Sequence, residues 1–290
     1  MNNPRIRRSG TYALKYLGPA SSSEVNRIAQ LSQRLCEMGI PTPKATYLEK
    51  AHLLKMPWLD GLSGKTLVLK VLSQAMLATG EKEIRRNLLA ILAPLVKLHD
   101  VDPDTLKLKP FDPWRKITSR LASWSREGRG FSPEATRLEQ HLRNRTADVL
   151  RQTSSQNLSV VHGDFHAGQI FFGSKPRMSW LLDLGDLGLG HKESDLGNLS
   201  AYLATARETT LNDINLAYEY WSFQVSSAYE DITKQPMNRK LIDAYGAIAL
   251  LHRGLKQWER TGDKHIPDNI FDASRRASER QGTSGTNSLL

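Results

Sequence analysis

The chain has 290 residues, enough for one large domain or two lobes with a substantial core. Its 40 Lys and Arg against 30 Asp and Glu give a net charge of +10, a balance that favours anionic partners. Cys36 is alone, which excludes an intrachain disulfide; no apolar run of about 18 residues and no leading apolar segment suggests a membrane span or secretory signal, so a cytoplasmic enzyme is expected.

Near the N-terminus, Thr11-Tyr-Ala-Leu-Lys-Tyr16 alternates as a strand and ends in Gly18-Pro19, which places Lys15 on that strand. Ser21-Ser-Ser-Glu24 then has the form of a helix N-cap, and Val25, Ile28, Leu31 and Leu35 recur at helical spacing before Gly39-Ile-Pro41. Gly61-Leu-Ser-Gly-Lys-Thr66 looks like the end of a phosphate-binding P-loop. That motif needs a glycine where Leu59 stands, so the P-loop reading is set aside.

Leu88 to His99 is apolar nearly all round and reads as a buried helix. Lys107 to Arg145 is mixed and basic, with Trp114 and Trp124 ten apart, and reads as a helical insertion beside the substrate cleft. A charge run of this kind is more often a solvated helical face than a binding patch. From Asp195 to about Arg260 the spacing gives about three amphipathic helices, whereas 273–290 is polar, rich in Ser and Gly, and expected to fray.

The segment from Val161 to Leu199 carries the chemistry. Leu158-Ser-Val-Val161 is a short strand that stops at His162-Gly163-Asp164, so a polar loop presents Asp164 at a strand end. Ile170-Phe-Phe172 and Met178-Ser-Trp-Leu-Leu182 read as paired strands around Gly173-Ser-Lys-Pro176, a hairpin that returns Gln169 and Asp183 to one edge. A carboxylate to accept or orient a hydroxyl proton, followed by an amide and a second carboxylate as hard ligands for Mg²⁺, is the set phosphoryl transfer needs. His162, Asp164 and His166 also suggest the metal site of a hydrolase, but no downstream His or Cys cluster matches them.

These residues resemble the aminoglycoside phosphotransferase and choline kinase-like family, whose catalytic loop HGDxHxxN compares with HGDFHAGQ here. Leu181-Leu-Asp183-Leu-Gly-Asp186 is similar to the family's metal-binding segment, and Asp195-Leu-Gly-Asn-Leu199 to the helix start whose Asp braces the catalytic loop. Gly39-Ile-Pro-Thr-Pro43 and Leu53-Leu-Lys-Met-Pro-Trp-Leu-Asp-Gly61 resemble its post-helix and hinge segments. Gln169 stands where most members have Asn, and His191 where many have Asp.

The resemblance implies an α+β, two-lobed protein-kinase-like fold: a reduced N-terminal β lobe and hinge over residues 1–60, a mainly helical C-terminal lobe over 61–272, and a tail over 273–290. It implies Asp164 as the catalytic base or hydroxyl-orienting group, Gln169 and Asp183 as Mg²⁺ ligands, Lys15 as the phosphate-neutralising lysine paired by Glu24, and Met56 to Trp58 along the adenine of ATP. A glycine-rich lid of two strands before the lysine strand does not fit in the nine residues ahead of Gly10. Only about a dozen residues separate Asp183 from Asp195, too few for the peptide-docking segment of protein kinases, which points to a small-molecule hydroxyl acceptor. The charge favours a neutral or anionic sugar-like acceptor over an aminoglycoside, and nucleic acid is not expected as a partner. The reduced lid leaves a second reading, a degenerate, non-catalytic protein that binds nucleotide or another protein.

Overall fold

A computed structural model of the chain describes residues 6–16, 22–66, 80–127, 133–152, 158–173, 179–206, 213–261 and 265–280. Strands β1 (Ile6–Ser9) and β2 (Tyr12–Tyr16) form an antiparallel hairpin, and β2 pairs with β4 (Leu53–Pro57), which also pairs with β3 (Thr46–Leu48). The sheet order is therefore β1-β2-β4-β3. Among the described residues one strand precedes the lysine strand, and the two form a hairpin whose second arm carries Lys15.

Helix α1 (Ser22–Glu37) joins two cores because its apolar stripe is longer than the sheet it covers. Val25 and Ala29 pack with Ala45 and Leu54 under the small sheet, while Leu31 and Leu35 reach the main core. The hinge then leads to β5 (Gly61–Ser63), which pairs with β7 (Ile170–Gly173), itself paired with β8 (Ser179–Leu181). The segment that resembled a P-loop is thus an edge strand running into a helical start at 64–66, with Ser63 Oγ accepting from the Thr66 N–H.

The large lobe is helical: α2 (Gly80–His99), α3 (Arg115–Arg126), α4 (Pro133–Gln152), α5 (Glu193–Ala204), α6 (Ile214–Thr233), α7 (Arg239–Thr261) and α8 (His265–Glu279). Leu88, Ile91, Leu92, Leu95 and Leu98 bury α2 in the main core, each fully buried leucine contributing about 2 kcal/mol. Helices α5 and α7 meet at Gly197 and Gly246, close enough that a Cβ on Gly197 would lie 2.7 Å from the Gly246 nitrogen. This close approach brings the face of α7 up to the catalytic loop.

The C-terminus differs from expectation. Instead of fraying from 273, the chain stays helical through Glu279, with Ala273, Ser274, Ala277 and Ser278 buried and Ser274 Oγ donating to the Ala247 carbonyl at 2.7 Å. Small residues at helical spacing bury by close packing rather than by bulk, which is why a hydrophobicity reading misses them. Residues 281–290 lie outside the described residues, as do 174–178 of the expected hairpin turn.

Candidate active site

Strand β6 (Ser159–Val161), paired with β9 (Gly188–Gly190), runs into the loop that carries Asp164. The loop is pinned by one buried carboxylate: Asp195 accepts from the His162 N–H at 2.7 Å, the Gly163 N–H at 2.9 Å and His99 Nε2 at 3.0 Å. His99 in turn bonds the Tyr229 hydroxyl at 2.8 Å. Asn198, one helical turn beyond Asp195, donates to the Phe165 carbonyl at 2.8 Å. Gly163 sits at φ 75°, where a Cβ would lie 2.4 Å from the Asp186 carbonyl, so the bend depends on glycine.

Both loop histidines are satisfied within the loop. His162 donates from Nε2 to the Leu182 carbonyl at 2.7 Å and accepts at Nδ1 from the Asp164 N–H. His166 accepts at Nδ1 from the Gly168 N–H at 3.0 Å, which leaves its hydrogen on Nε2, 3.4 Å from the Gln169 amide. Burial, reinforced by Arg253, His162 and Lys256, lowers His166 to about 3 and keeps it neutral. Among the described residues no three His, Cys, Asp or Glu side chains gather as a metal cluster, so the hydrolase reading has no set of ligands there.

The β7–β8 pairing, with the Leu182 N–H donating to the Gln169 carbonyl at 2.8 Å, brings Gln169 and Asp183 side by side. Asp183 adopts a left-handed conformation (φ 59°, ψ 63°), uncommon for a residue other than glycine and the kind of local strain that collects at functional sites. Lys15 Nζ lies 2.7 Å from Asp183 Oδ1. Burial raises the Asp183 carboxyl, but Lys15 outweighs it and the net shift is downward, so the group is ionised at neutral pH.

Glu24 is not the partner of Lys15. It lines a separate cleft of about 550 Å³ with Arg27, Arg115 and Asp186. An acidic residue in the first turn of α1 is accounted for by the helix dipole, and Lys15 pairs with Asp183 instead.

A cavity of about 450 Å³ lies between the lobes, with Lys15, Gln169 and Asp183 at one end and Met56, Trp58 and Leu59 at the other, walled by Ala13, Leu54, Phe171 and Leu182. Its volume and its mix of apolar walls with a few polar groups are typical of a cofactor site. The Trp58 N–H already donates to the Thr11 carbonyl at 2.8 Å. Leu59 is therefore the next hinge residue facing the cavity.

On the far side of Asp164 the surroundings are cationic. Lys116 of α3 lies 2.7 Å from Asp164 Oδ2 and 2.8 Å from Asp186 Oδ2, and Arg115 also pairs with Asp186. Asp186 holds the two basic side chains. Burial raises the Asp164 carboxyl, but Lys116 and the two histidines outweigh it and hold it at about 2. A small pocket of about 40 Å³ beside Asp164 is bounded by Lys116, Asn198, Tyr245 and His252. Burial, aided by Lys116, Arg253 and Arg120, lowers His252 to about 3.

Sequence reading counted Lys116 only as one of the basic residues of the insertion beside the cleft, and it missed His252 and Arg253 on α7. His191, for which the sequence offered no reason, is buried and bonds the Tyr245 hydroxyl at 2.8 Å.

A β-sheet lobe carrying a lysine, a hinge, a helical lobe, and a loop whose Asp164 lines a small pocket while Asp183 lines the interlobe cavity define a protein-kinase-like small-molecule phosphotransferase. Residues 2–230 match the phosphotransferase enzyme family, and the chain belongs to it. No curated protein sequence matches the chain. An aminoglycoside phosphotransferase from Streptomyces rimosus, solved with ADP and streptomycin, is similar at 19% identity over 86% of this chain and 88% of its own, with a TM-score of 0.60. A choline/ethanolamine kinase family protein from Mesorhizobium loti is 15% identical over 96% and 85% of the two chains, with a TM-score of 0.59. Choline kinase LicA from Streptococcus pneumoniae is 14% identical over 95% and 88%, with a TM-score of 0.54. At these identities the likeness is one of fold. Among the described residues no helix is long and apolar enough to cross a membrane.

Proposed function

We propose that the protein transfers the γ-phosphoryl group of ATP to a hydroxyl of a neutral or anionic small molecule. The observation that carries this reading is Lys15-paired Asp183 in the interlobe cavity with Asp164 in a small pocket on the neighbouring loop. Solved relatives contain ADP and streptomycin, or AMP, which supports nucleotide in the cavity and acceptor beside it.

The donor set fits Mg²⁺. Asp183 offers one carboxylate and Gln169 one amide oxygen, hard ligands that leave positions for phosphate and water. The His166 Nε2–H is satisfied when the Gln169 amide turns its oxygen to the ring, and the second lone pair of that oxygen stays available to a cation. Bound there, Mg²⁺ would neutralise phosphate charge.

The chain's own residues supply the remainder. Lys15 neutralises phosphate charge from the small lobe, and the apolar walls around Met56 and Leu59 exclude water from the base. Asp164 accepts the hydrogen bond of the attacking hydroxyl and aims its lone pair at the phosphorus. A carboxylate held at about 2 is a weak base, so its role is orientation, with the proton leaving late; a loose transition state asks little more.

Thermal melts separate catalyst from degenerate binder. ATP should raise Tm more with Mg²⁺ than with EDTA, and Asp183→Ala should erase the difference. An equal shift with and without Mg²⁺ would leave a nucleotide-binding module without catalysis, and no shift at all would remove nucleotide from the reading.

A further inference from the structure

Arg253 is the least explained charge in the protein. It lies on α7, its guanidinium carbon 4.8 Å from the centre of the Tyr202 ring, and its Nε is sealed from solvent without a hydrogen-bond partner. Tyr202 in turn stacks flat on His166 at 4.9 Å, so the guanidinium is layered against the catalytic loop. Among the described residues no carboxylate lies within ion-pair distance of Arg253 or of Lys256, one turn further along α7. Burial lowers Arg253 to about 10 against the pull of the Asp164 carboxylate and Tyr202, and burial followed by Arg253 lowers Lys256, again opposed by Asp164. A largely buried guanidinium with no carboxylate at ion-pair distance is costly, and folding alone gives no reason to keep Arg253 there.

The face that carries them is the face that closes the acceptor side. Ala249 and His252 line the small pocket with Asp164, and 249, 252, 253 and 256 follow one another at helical spacing. Glu219, Glu230 and Asp231, acidic residues that could otherwise attract amines, are taken up by Arg280, Arg239 and Arg85.

We infer that Arg253 and Lys256 form an anion subsite of the acceptor pocket, so that the hydroxyl compound phosphorylated here also carries a phosphate, carboxylate or sulfate group. This rests on Asp164 as the centre of phosphoryl transfer. The acceptor oxygen bonds to the γ-phosphorus as the bond to the ADP oxygen breaks, the hydroxyl proton leaves by way of Asp164, and the products are ADP and a phosphomonoester with its original anion unchanged. Arg253 supplies a planar donor fork and Lys256 a mobile point charge at the rim, a pairing suited to an oxyanion.

The test has a binding arm and a turnover arm. Inorganic sulfate, inorganic phosphate and acetate are added to ADP-saturated protein at constant ionic strength. Tm should rise in the wild type, and the rise should be lost in Arg253→Gln and Lys256→Gln. Lys256 is exposed, so its variant keeps the fold even if Arg253→Gln does not. In the second arm, glucose 6-phosphate, gluconate and glucose are compared with MgATP. An anionic compound should exceed glucose at least tenfold in kcat/KM, and either Gln variant should reduce that preference at least tenfold through KM, with Arg253→Lys retaining part of it. Whether phosphate or carboxylate is preferred identifies the group. A neutral acceptor that wins, or variants that leave the ratio unchanged, would overturn the subsite. If none of the three compounds is phosphorylated, the sulfate response decides: loss in the variants keeps the anion subsite while the transfer reading falls, and an equal response in the variants rejects the subsite.

Discussion

Lys116→Met tests whether the charge of Asp164 is held from α3. The carboxyl stands at about 2 against an ordinary 3.8, roughly 2 units or about 2.5 kcal/mol of preference for the ionised form. Both side chains are 30% exposed, which reduces the stabilisation from the pair to about 2 kcal/mol. Because the folded carboxyl lies below its unfolded value, that contribution is complete above pH 3.8 and is lost as the pH falls towards 2. Over 290 residues the unfolding entropy is on the order of 0.6 kcal/mol/K, so Lys116→Met should melt about 3 °C lower at pH 7.5, with the gap closing below pH 4. The acid limb of kcat/KM should move to higher pH as well, since burial, the largest influence on Asp164, then acts unopposed by the lysine. Melting curves from pH 8 to 3 and a pH–rate profile read both effects. A variant that melts with the wild type and keeps its acid limb would show that Lys116 does not set the charge at Asp164.

Asp164→Asn should lower kcat about 10²–10⁴-fold while leaving the fold and MgATP binding intact, as measured by turnover and by the nucleotide-dependent Tm. Asp243, raised by burial to about 6, is ionised at neutral pH at a cost; that cost is present above pH 6 and vanishes below 3.8. Asp243→Asn should therefore be more stable than the wild type at pH 8, by up to about 3 kcal/mol, and equal to it near pH 3.5 in denaturant titrations. Gly197→Ala places a Cβ 2.7 Å from the backbone of α7 and should cost about 1–3 kcal/mol; because Asp195 and Asn198 ride on the same turn, kcat should fall with Tm.

What was legible in the sequence was local. The strand, loop and hairpin around Asp164, Gln169 and Asp183 are specified within one short segment by apolar runs and turn residues, and the bracing by Asp195 follows from a helix start close behind it. What stayed hidden arrives from distant helices. Lys116 and Arg253 sit in stretches whose composition matches any solvated helical face, and only the packing of α3 and α7 against the loop separates them from Arg126 or Arg260. Glu24 failed for a related reason: a first-turn acid satisfies the helix dipole in any orientation, so its presence does not say which cleft it faces. The Ala and Ser face of α8 is invisible to a measure that equates burial with large apolar side chains.

The cations around Asp164 act in opposite directions on catalysis, and their magnitudes decide the balance. Depressing the carboxyl by roughly 2 units costs at most about 2.5 kcal/mol, and only if the proton is fully transferred at the transition state; a loose phosphoryl transfer, in which the hydroxyl keeps most of its proton, incurs a fraction of that. A positioned donor facing developing oxyanion charge is worth about 2.7–4 kcal/mol in a water-poor site. On the proposed reaction, a Lys116 that faces the transferring group gains more there than it loses by weakening the base. The same field repels an acceptor rich in ammonium groups and attracts an oxyanion, so the charge that holds Asp164 low also favours the anionic acceptor proposed above.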